Sequence, residues 1–173
     1  MIQDDWNGTA LDEYVLIEYY SPHQNNKKDS DAPYPENGKR MFTQSGFRIY
    51  HVDSRMVEVH PRTQTMIEYS DEIIQGKKYQ VGASNSASYS YLKEHKNDFK
   101  LVHLMEAGGK NTFKQGKSAT NATLFRKGDS FTANSNFFYN GSKFNDESLF
   151  GYKLEIGECT EYTGEITIKK MGL

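Results

Sequence analysis

Two histidines and two carboxylates lie close together in one short stretch of the sequence, GFRIYHVDSRMVEVH. They are His51, Asp53, Glu58 and His60. Neutral imidazole nitrogens and ionised carboxylate oxygens are the usual protein ligands of zinc and of other divalent ions. The residue types therefore suggest a metal site or a catalytic site, provided that the fold brings the four side chains together.

The elements that would position these side chains are two predicted strands, Gly46–Asp53 and Met56–His60, in which apolar and polar residues alternate. If the two residues between them form the turn, His51 pairs with Glu58, and all four candidate ligands lie on one face of the hairpin. The Ser-Arg dipeptide at the turn lacks the Gly or Asn that tight hairpins prefer, and a shift of one residue in register would scatter the set. The sequence favours a purely structural hairpin, with the metal site as the alternative.

Other catalytic arrangements have little support. The sequence has no G-x-S-x-G elbow, and its single cysteine, Cys159, lies beside Glu158 and Glu161, whose charges would raise the pKa of the thiol. His103 lies in the apolar pattern KLVHLMEA and is interpreted as a core or edge histidine. The run NTFKQGKS, residues 111–118, lacks the first glycine of a P-loop and is interpreted as a surface loop.

Composition narrows the function classes. A chain of 173 residues suits one domain, 1–173, and 13% aromatic residues predict a core built largely from Tyr and Phe. A net charge of −2 with scattered basic residues gives no electrostatic footprint for nucleic acid. No apolar run approaches the length of a membrane span, and one cysteine excludes both an intramolecular disulfide and a Cys-based zinc cluster.

The pattern along the chain predicts many short strands. The stretch DEYVLIEYY predicts a central strand covered on both faces, and residues 21–45, rich in Pro, Asn, Asp and Lys, predict a long polar loop. Two further strands are predicted at Thr65–Tyr69 and Lys78–Ala83, a short helix at Ser88–Asn97, and a C-terminal hairpin at YKLEIGE and GEITIKK. The expected fold is mainly β, an antiparallel β-sandwich-like architecture with one or two short helices and long loops.

Several motifs together resemble one known family. WNGTALDEYVLIEYYSP, a Pro-rich loop and SGFRIYHVDSRM, followed by SNSASYS, KLVHLMEAGGKNTF and ATLFRKGDSF, resemble the region downstream of the zinc site in secreted bacterial metallopeptidases of the immune inhibitor A type. The resemblance covers most of the chain. The best matching positions are Gly46, Ile49, His51, Val52 and Asp53, followed by Asp12, Glu13, Tyr14, Ile17 and Glu18.

The family's catalytic helix carries H-E-x-x-H, and this sequence has no such run. His51 and His60 lie nine residues apart on predicted strands and cannot replace a helical i, i+4 pair. The resemblance therefore implies the non-catalytic, C-terminal part of such an enzyme, which walls or supports the substrate cleft. No cofactor is expected in this chain itself, and zinc is expected only in the parent enzyme.

The resemblance further implies that the chain's partner is an upstream catalytic domain of the same polypeptide. The location would be extracellular or at the cell surface, with a signal peptide encoded upstream. His51 and Asp53 are then candidate cleft residues, and His51 would be placed to stabilise an oxyanion in the transition state.

Two alternatives remain open at this stage. One is an independent extracellular binding or adhesion module for a glycan or a protein, which would use the aromatic run NSNFFYNGSKF with Tyr139. The other is a self-contained metalloenzyme that uses the four candidate ligands of the hairpin.

Overall fold

The structure is a computed structural model, and it describes residues 2, 6, 8–33, 40, 42–59, 66–70, 79–82, 100–134 and 143–172. For 57–59, 66–70 and 79–82 it describes the backbone alone. The described strands are β1 (Glu13–Tyr20), β2 (Gly46–Asp53), β3 (Met56–Val59), β4 (Met66–Ser70), β5 (Tyr79–Gly82), β6 (Val102–Leu104), β7 (Ser130–Phe131), β8 (Tyr152–Cys159) and β9 (Gly164–Lys170). Helix α1 is Lys27–Asp31, and short 3-10 helices lie at Gln24–Asn26, Phe113–Gln115 and Asn121–Thr123.

The strands form three antiparallel sheets of three strands each within the described residues. The first sheet has the order β1-β2-β6, the second β4-β3-β5 and the third β7-β8-β9. β1 and β2 are paired over their full lengths, from Glu13 opposite Asp53 to Tyr20 opposite Gly46. β8 and β9 are likewise paired along most of their lengths, from Tyr152 opposite Lys170 onwards. Pairing over such lengths fixes which side chains share a face.

The first and third sheets share one hydrophobic core. It contains Val15, Phe47, Ile49, Met105, Phe125, Phe131, Phe144, Phe150, Leu154 and Ile156. Several of the phenylalanine rings meet edge to face, for example Phe131 and Phe150 with centroids 5.6 Å apart. This geometry is favoured by the ring quadrupole and adds to the stabilisation from area burial. The predicted aromatic core is confirmed.

The predicted fold class, mainly β and antiparallel with a short helix and long loops, is confirmed. The C-terminal hairpin is confirmed as β8 and β9, and strands are present as β4 and β5 close to their predicted bounds. Within residues 21–45 the structure places helix α1, and the ring of Phe42 is buried. The predicted helix Ser88–Asn97 lies outside the described residues. No described helix has the length and apolarity that crossing a membrane requires.

Two strand predictions are wrong. Within the described residues DEYVLIEYY is not the middle strand of its sheet: β2 lies between β1 and β6, β1 meets an isolated bridge from Ile2 on its other side, and Leu16 on β1 is 39% exposed. β2 and β3 do not form a hairpin either, because β2 pairs in the first sheet and β3 in the second. The connection at Ser54 and Arg55 is held by tertiary contacts: the Ser54 hydroxyl donates to the Ala10 carbonyl, and Nη2 of Arg55 lies 3.1 Å from Oε2 of Glu13. These contacts direct the chain from one sheet into the next.

Candidate functional site

Polar residues from the motifs DEYVLIEYY and GFRIYHVD meet at one end of the β1–β2 pair. Glu13 begins β1 and lies opposite Asp53, the last residue of β2, while His51 lies opposite Val15. Because side chains alternate along a strand, Glu13, His51 and Asp53 point to the same face as the core residues Val15 and Ile49. Together with Arg55 and Asn145 they form what is called here the buried charged cluster.

Every member of the buried charged cluster is shielded from solvent. The residues of Glu13 and Asp53 are 0% exposed, and those of His51, Arg55 and Asn145 are at most 8% exposed. Ionised groups are rarely buried to this degree unless they are paired and hydrogen-bonded. The contacts of the two carboxylates therefore decide whether this arrangement is stable.

The carboxylate of Glu13 accepts from several donors. Nε2 of His51 lies 2.6 Å from Oε1, and since an ionised carboxylate can only accept, the imidazole is the donor. The backbone N–H of Asn145 donates to the same oxygen at 2.5 Å, and that of Asp146 donates to Oε2 at 3.0 Å. Nη2 of Arg55 lies 3.1 Å from Oε2. Both oxygens of Glu13 are thus engaged.

The carboxylate of Asp53 is held by a two-point contact with Arg55. Nε donates to Oδ1 at 2.9 Å, and Nη2 donates to Oδ2 at 3.0 Å. This parallel pair of bonds is the strongest geometry for an arginine and a carboxylate. The side-chain amide of Asn145 donates to Oδ2 at 2.8 Å, so that this one residue contacts both carboxylates of the cluster.

A tight turn closes the cluster on one side. Phe144 N–H donates to the Ser148 carbonyl at 3.0 Å, and Glu147 adopts a left-handed conformation with φ 71°. The ring of Phe144 lies 5.6 Å from the His51 ring, measured between centroids. The turn therefore covers the imidazole with an aromatic ring and aims backbone donors at Glu13.

Burial sets the electrostatics of this region. Desolvation raises the pKa of Glu13, and the nearby charge of Asp53 acts in the same direction, whereas the hydrogen bond from His51 and the charge of Arg55 oppose it. His103 on β6 lies opposite His51 in the sheet. Burial, followed by the proximity of His51 and Lys100, lowers the pKa of His103 to about 3. This histidine is accordingly neutral at physiological pH.

The sequence-predicted ligands are not brought together as a hairpin set. His51 and Asp53 lie in the buried charged cluster, whereas Glu58 lies on β3 in the second sheet, with its backbone opposite Glu68 and Gln80. His60 lies outside the described residues. Among the residues that the structure describes, no group of three or more His, Cys, Asp or Glu side chains is arranged to hold a metal ion.

Three members of the cluster were not predicted as site residues. From the sequence, Glu13 is a strand residue and a matching position of the resemblance, Arg55 is a turn residue, and Asn145 is not singled out. The pairing of Glu13 with Asp53 follows from the register of β1 and β2, which the sequence alone does not give. Asn145 lies 132 positions from Glu13, so no local pattern indicates their contact.

The remaining candidates lie elsewhere. The thiol of Cys159 has a raised pKa, as predicted, but burial is the main cause, and Glu158 contributes less. Two open depressions, of about 480 and about 380 Å³, contain no member of the buried charged cluster in their linings. Most of the aromatic run proposed for glycan binding, including Tyr139, lies outside the described residues.

Comparison with known proteins gives no assignment. No protein-family model matches the chain, and neither a curated protein nor a solved structure matches it. The resemblance to metallopeptidases of the immune inhibitor A type therefore stays a prediction based on motifs. Its matching positions include Glu13, His51 and Asp53, and the fold buries these three residues together.

Proposed function

We propose that this chain is the non-catalytic, β-rich C-terminal region of a secreted or cell-surface metallopeptidase of the immune inhibitor A type, in which it supports the wall of the substrate cleft. The observation that carries the proposal is that the charged residues of the resembling motifs bind one another in a buried cluster. Their role in this chain is to hold strands and a turn together.

Access is the first argument for a supporting role. A general base or an oxyanion donor must approach a substrate atom to within hydrogen-bond distance. His51 is 3% exposed, and its Nε2 donates to Glu13. The earlier hypothesis of His51 as an oxyanion donor would require this bond to break and Phe144 to move away from the ring. We therefore propose that His51 supports the fold and does not act on a substrate.

The same contacts argue against zinc binding by this chain. A zinc ligand must offer a free lone pair, and the carboxylate oxygens of Asp53 and Glu13 already accept from Arg55, Asn145 and His51. A cation placed here would also meet the guanidinium of Arg55. The donor set does not fit zinc, and in the proposed parent enzyme the metal belongs to the upstream catalytic domain.

The cluster is suited to making a rigid wall. It joins the start of β1, the end of β2 and the turn that contains Asn145, which are distant in sequence. A buried ionic network that is fully hydrogen-bonded is costly to distort, because displacing one member leaves a buried charge without its counter-ion. Rigid support of this kind positions the residues of a neighbouring site.

The proposal is tested on the complete gene product. The coding DNA upstream of Met1 is expected to encode an in-frame H-E-x-x-H, and the full-length protein is expected to cleave a casein substrate in a reaction that a zinc chelator abolishes. The 173-residue chain supplied with zinc serves as the control and should show no cleavage. A reading frame without H-E-x-x-H, or cleavage by the control, would overturn the proposal.

A further inference from the structure

Strand β9 is an outer strand of its sheet in the part of the chain that the structure describes. It pairs with β8 in the third sheet, and no described strand pairs with its other side. The side chains of Glu165, Thr167, Ile168, Lys169 and Lys170 are exposed. An exposed strand edge presents backbone donors and acceptors to which another strand can add.

The backbone groups that face outward can be assigned from the hydrogen bonds to the strand's neighbours. Met171 N–H donates to the Gly151 carbonyl at 2.8 Å, on the β8 side. The N–H and C=O groups of a strand alternate in side, so those of Thr167 and Lys169 also face β8. Ile156 on β8 lies opposite Ile166. Its N–H donates to the Asp129 carbonyl and its carbonyl accepts from the Gly128 N–H, so both groups point away from β9. The groups of Ile166 and Ile168 therefore face away from the sheet.

The sequence of this edge is self-complementary. Residues 165–169 read Glu-Ile-Thr-Ile-Lys. When two copies pair antiparallel about Thr167, Glu165 of each copy lies opposite Lys169 of the other, and Ile166 lies opposite Ile168. This is the register in which Glu165 and Lys169 meet, and opposite charges in such cross-strand pairs are stabilising.

The apolar face of β9 supports the same register. Ile168 lies opposite Leu154, which is 0% exposed, yet Ile168 itself is 48% exposed. Ile166 on the same face is partly buried against the shared core. A second copy would set its Ile166 beside Ile168 and extend the core across the edge.

We propose that β9 is a self-association edge, at which two copies of this chain pair antiparallel about Thr167 and join their third sheets. Each Ile166–Ile168 pair then exchanges N–H···O bonds in both directions. The interface is isologous, as in most homodimers. Lysines on an edge strand usually oppose such pairing, but here Lys169, which already contacts Glu155 of its own copy, also faces Glu165 of the second copy. Because one strand edge buries less than a standard interface, we expect weak, concentration-dependent association.

Exchanging the charges of Glu165 and Lys169 tests the register in which the two copies pair. Sedimentation equilibrium of the full chain, from micromolar to millimolar concentration, should show a monomer–dimer equilibrium. Lys169→Glu sets two acids opposite each other, and Glu165→Lys sets two bases opposite each other, so each should weaken the dimer at least about tenfold. The double exchange Glu165→Lys with Lys169→Glu should restore it.

A matched control variant distinguishes pairing between two copies at β9 from changes in contacts within one copy. Lys169 and Lys153 both contact Glu155, at 2.5 and 3.0 Å, but only Lys169 lies on the edge strand. Lys153→Glu should therefore disturb the same carboxylate and leave the dimer intact. An intact dimer in Lys153→Glu, together with rescue by the double exchange, separates the pairing between copies from the loss of a partner for Glu155.

A cross-link tests the position of the symmetry axis. Thr167 of one copy would face Thr167 of the other in a non-hydrogen-bonded pair, whose short Cα separation suits a disulfide. In a Cys159→Ser background, Thr167→Cys should oxidise to a covalent dimer, and Lys153→Cys should not. A chain that stays monomeric at millimolar concentration, or a dimer unaffected by the single charge changes, would overturn the proposal.

Discussion

Nε2 of His51 lies 2.6 Å from Oε1 of Glu13, and both residues are almost completely buried. The contact joins two strands whose residues are 38 positions apart in sequence. Through this contact His51, which belongs to the resembling motif, has a carboxylate of the same chain as its partner. The contact therefore links the resemblance to a structural role and leads to the predictions that follow.

Replacing His51 should destabilise the fold strongly. His51→Leu leaves the Glu13 carboxylate buried without one of its donors, and loss of a hydrogen bond to a charged group costs about 1.5–3 kcal/mol. Urea denaturation measures the loss in the free energy of unfolding. The control is His23→Leu, because His23 pairs with Glu161 where both side chains are more than 40% exposed, and it should cost less than about 1 kcal/mol. Equal losses for the two variants would contradict the account of the cluster.

Asn145 should be sensitive to charge more than to size. Asn145→Ala removes the donor to Asp53 and should cost about 1–3 kcal/mol. Asn145→Asp is nearly isosteric but sets a third carboxylate beside Glu13 and Asp53, so it should cost more than the alanine variant. Denaturation of both variants at neutral pH tests the order. An aspartate variant as stable as the wild type would show that the two carboxylates are not held as described.

His103 should make the fold sensitive to acid. Burial lowers the pKa of His103 to about 3, from 6.5 for a free histidine. The unfolded chain therefore binds a proton that the folded chain does not, so the contribution to stability is full above pH 6.5 and is lost as the pH falls towards about 3. The slope from this group is about 1.4 kcal/mol per pH unit.

The measurement is urea denaturation of the wild type and of His103→Gln across this pH range. The stability deficit of the variant at neutral pH should shrink as the pH falls, because glutamine does not titrate. Parallel pH profiles for the two proteins would show that His103 is not buried in its neutral form.

Gly164 should not tolerate a side chain. A Cβ atom at this position would overlap the ring of Tyr19 and lie 2.7 Å from Cζ of Phe47, so that β9 could not stay docked on the first sheet. We expect Gly164→Ala to lower the free energy of unfolding by about 1–3 kcal/mol. Gly108→Ala is the control, since no atom lies within 4 Å of its added Cβ. A Gly164→Ala variant with wild-type stability would contradict the close approach of the two sheets.

The sequence predicts the strands of this fold better than their arrangement. Alternation of apolar and polar residues is local, and it places β2 at its observed bounds and finds the C-terminal hairpin. The predicted pairing of β2 with β3 is wrong because Ser54 and Arg55 are fixed by contacts with Ala10 and Glu13, which lie far away in the sequence.

The buried charged cluster is only half visible in the sequence. His51 and Asp53 share a strand face, which their spacing predicts. Their partners come from the register of β1 and from a turn distant in sequence, and neither leaves a local signal. Charged residues within an apolar strand pattern, such as Glu13, are the one hint that a partner must exist, because an unpaired buried charge is too costly.

The most direct test of the central claim is turnover by the full-length gene product carrying His51→Leu, measured per folded molecule below its unfolding transition. The account predicts a lowered Tm with zinc-dependent kcat/KM close to that of the wild type and of His23→Leu. Loss of kcat/KM with an unchanged Tm would contradict it, because His51 would then act in the reaction and not in support of the fold.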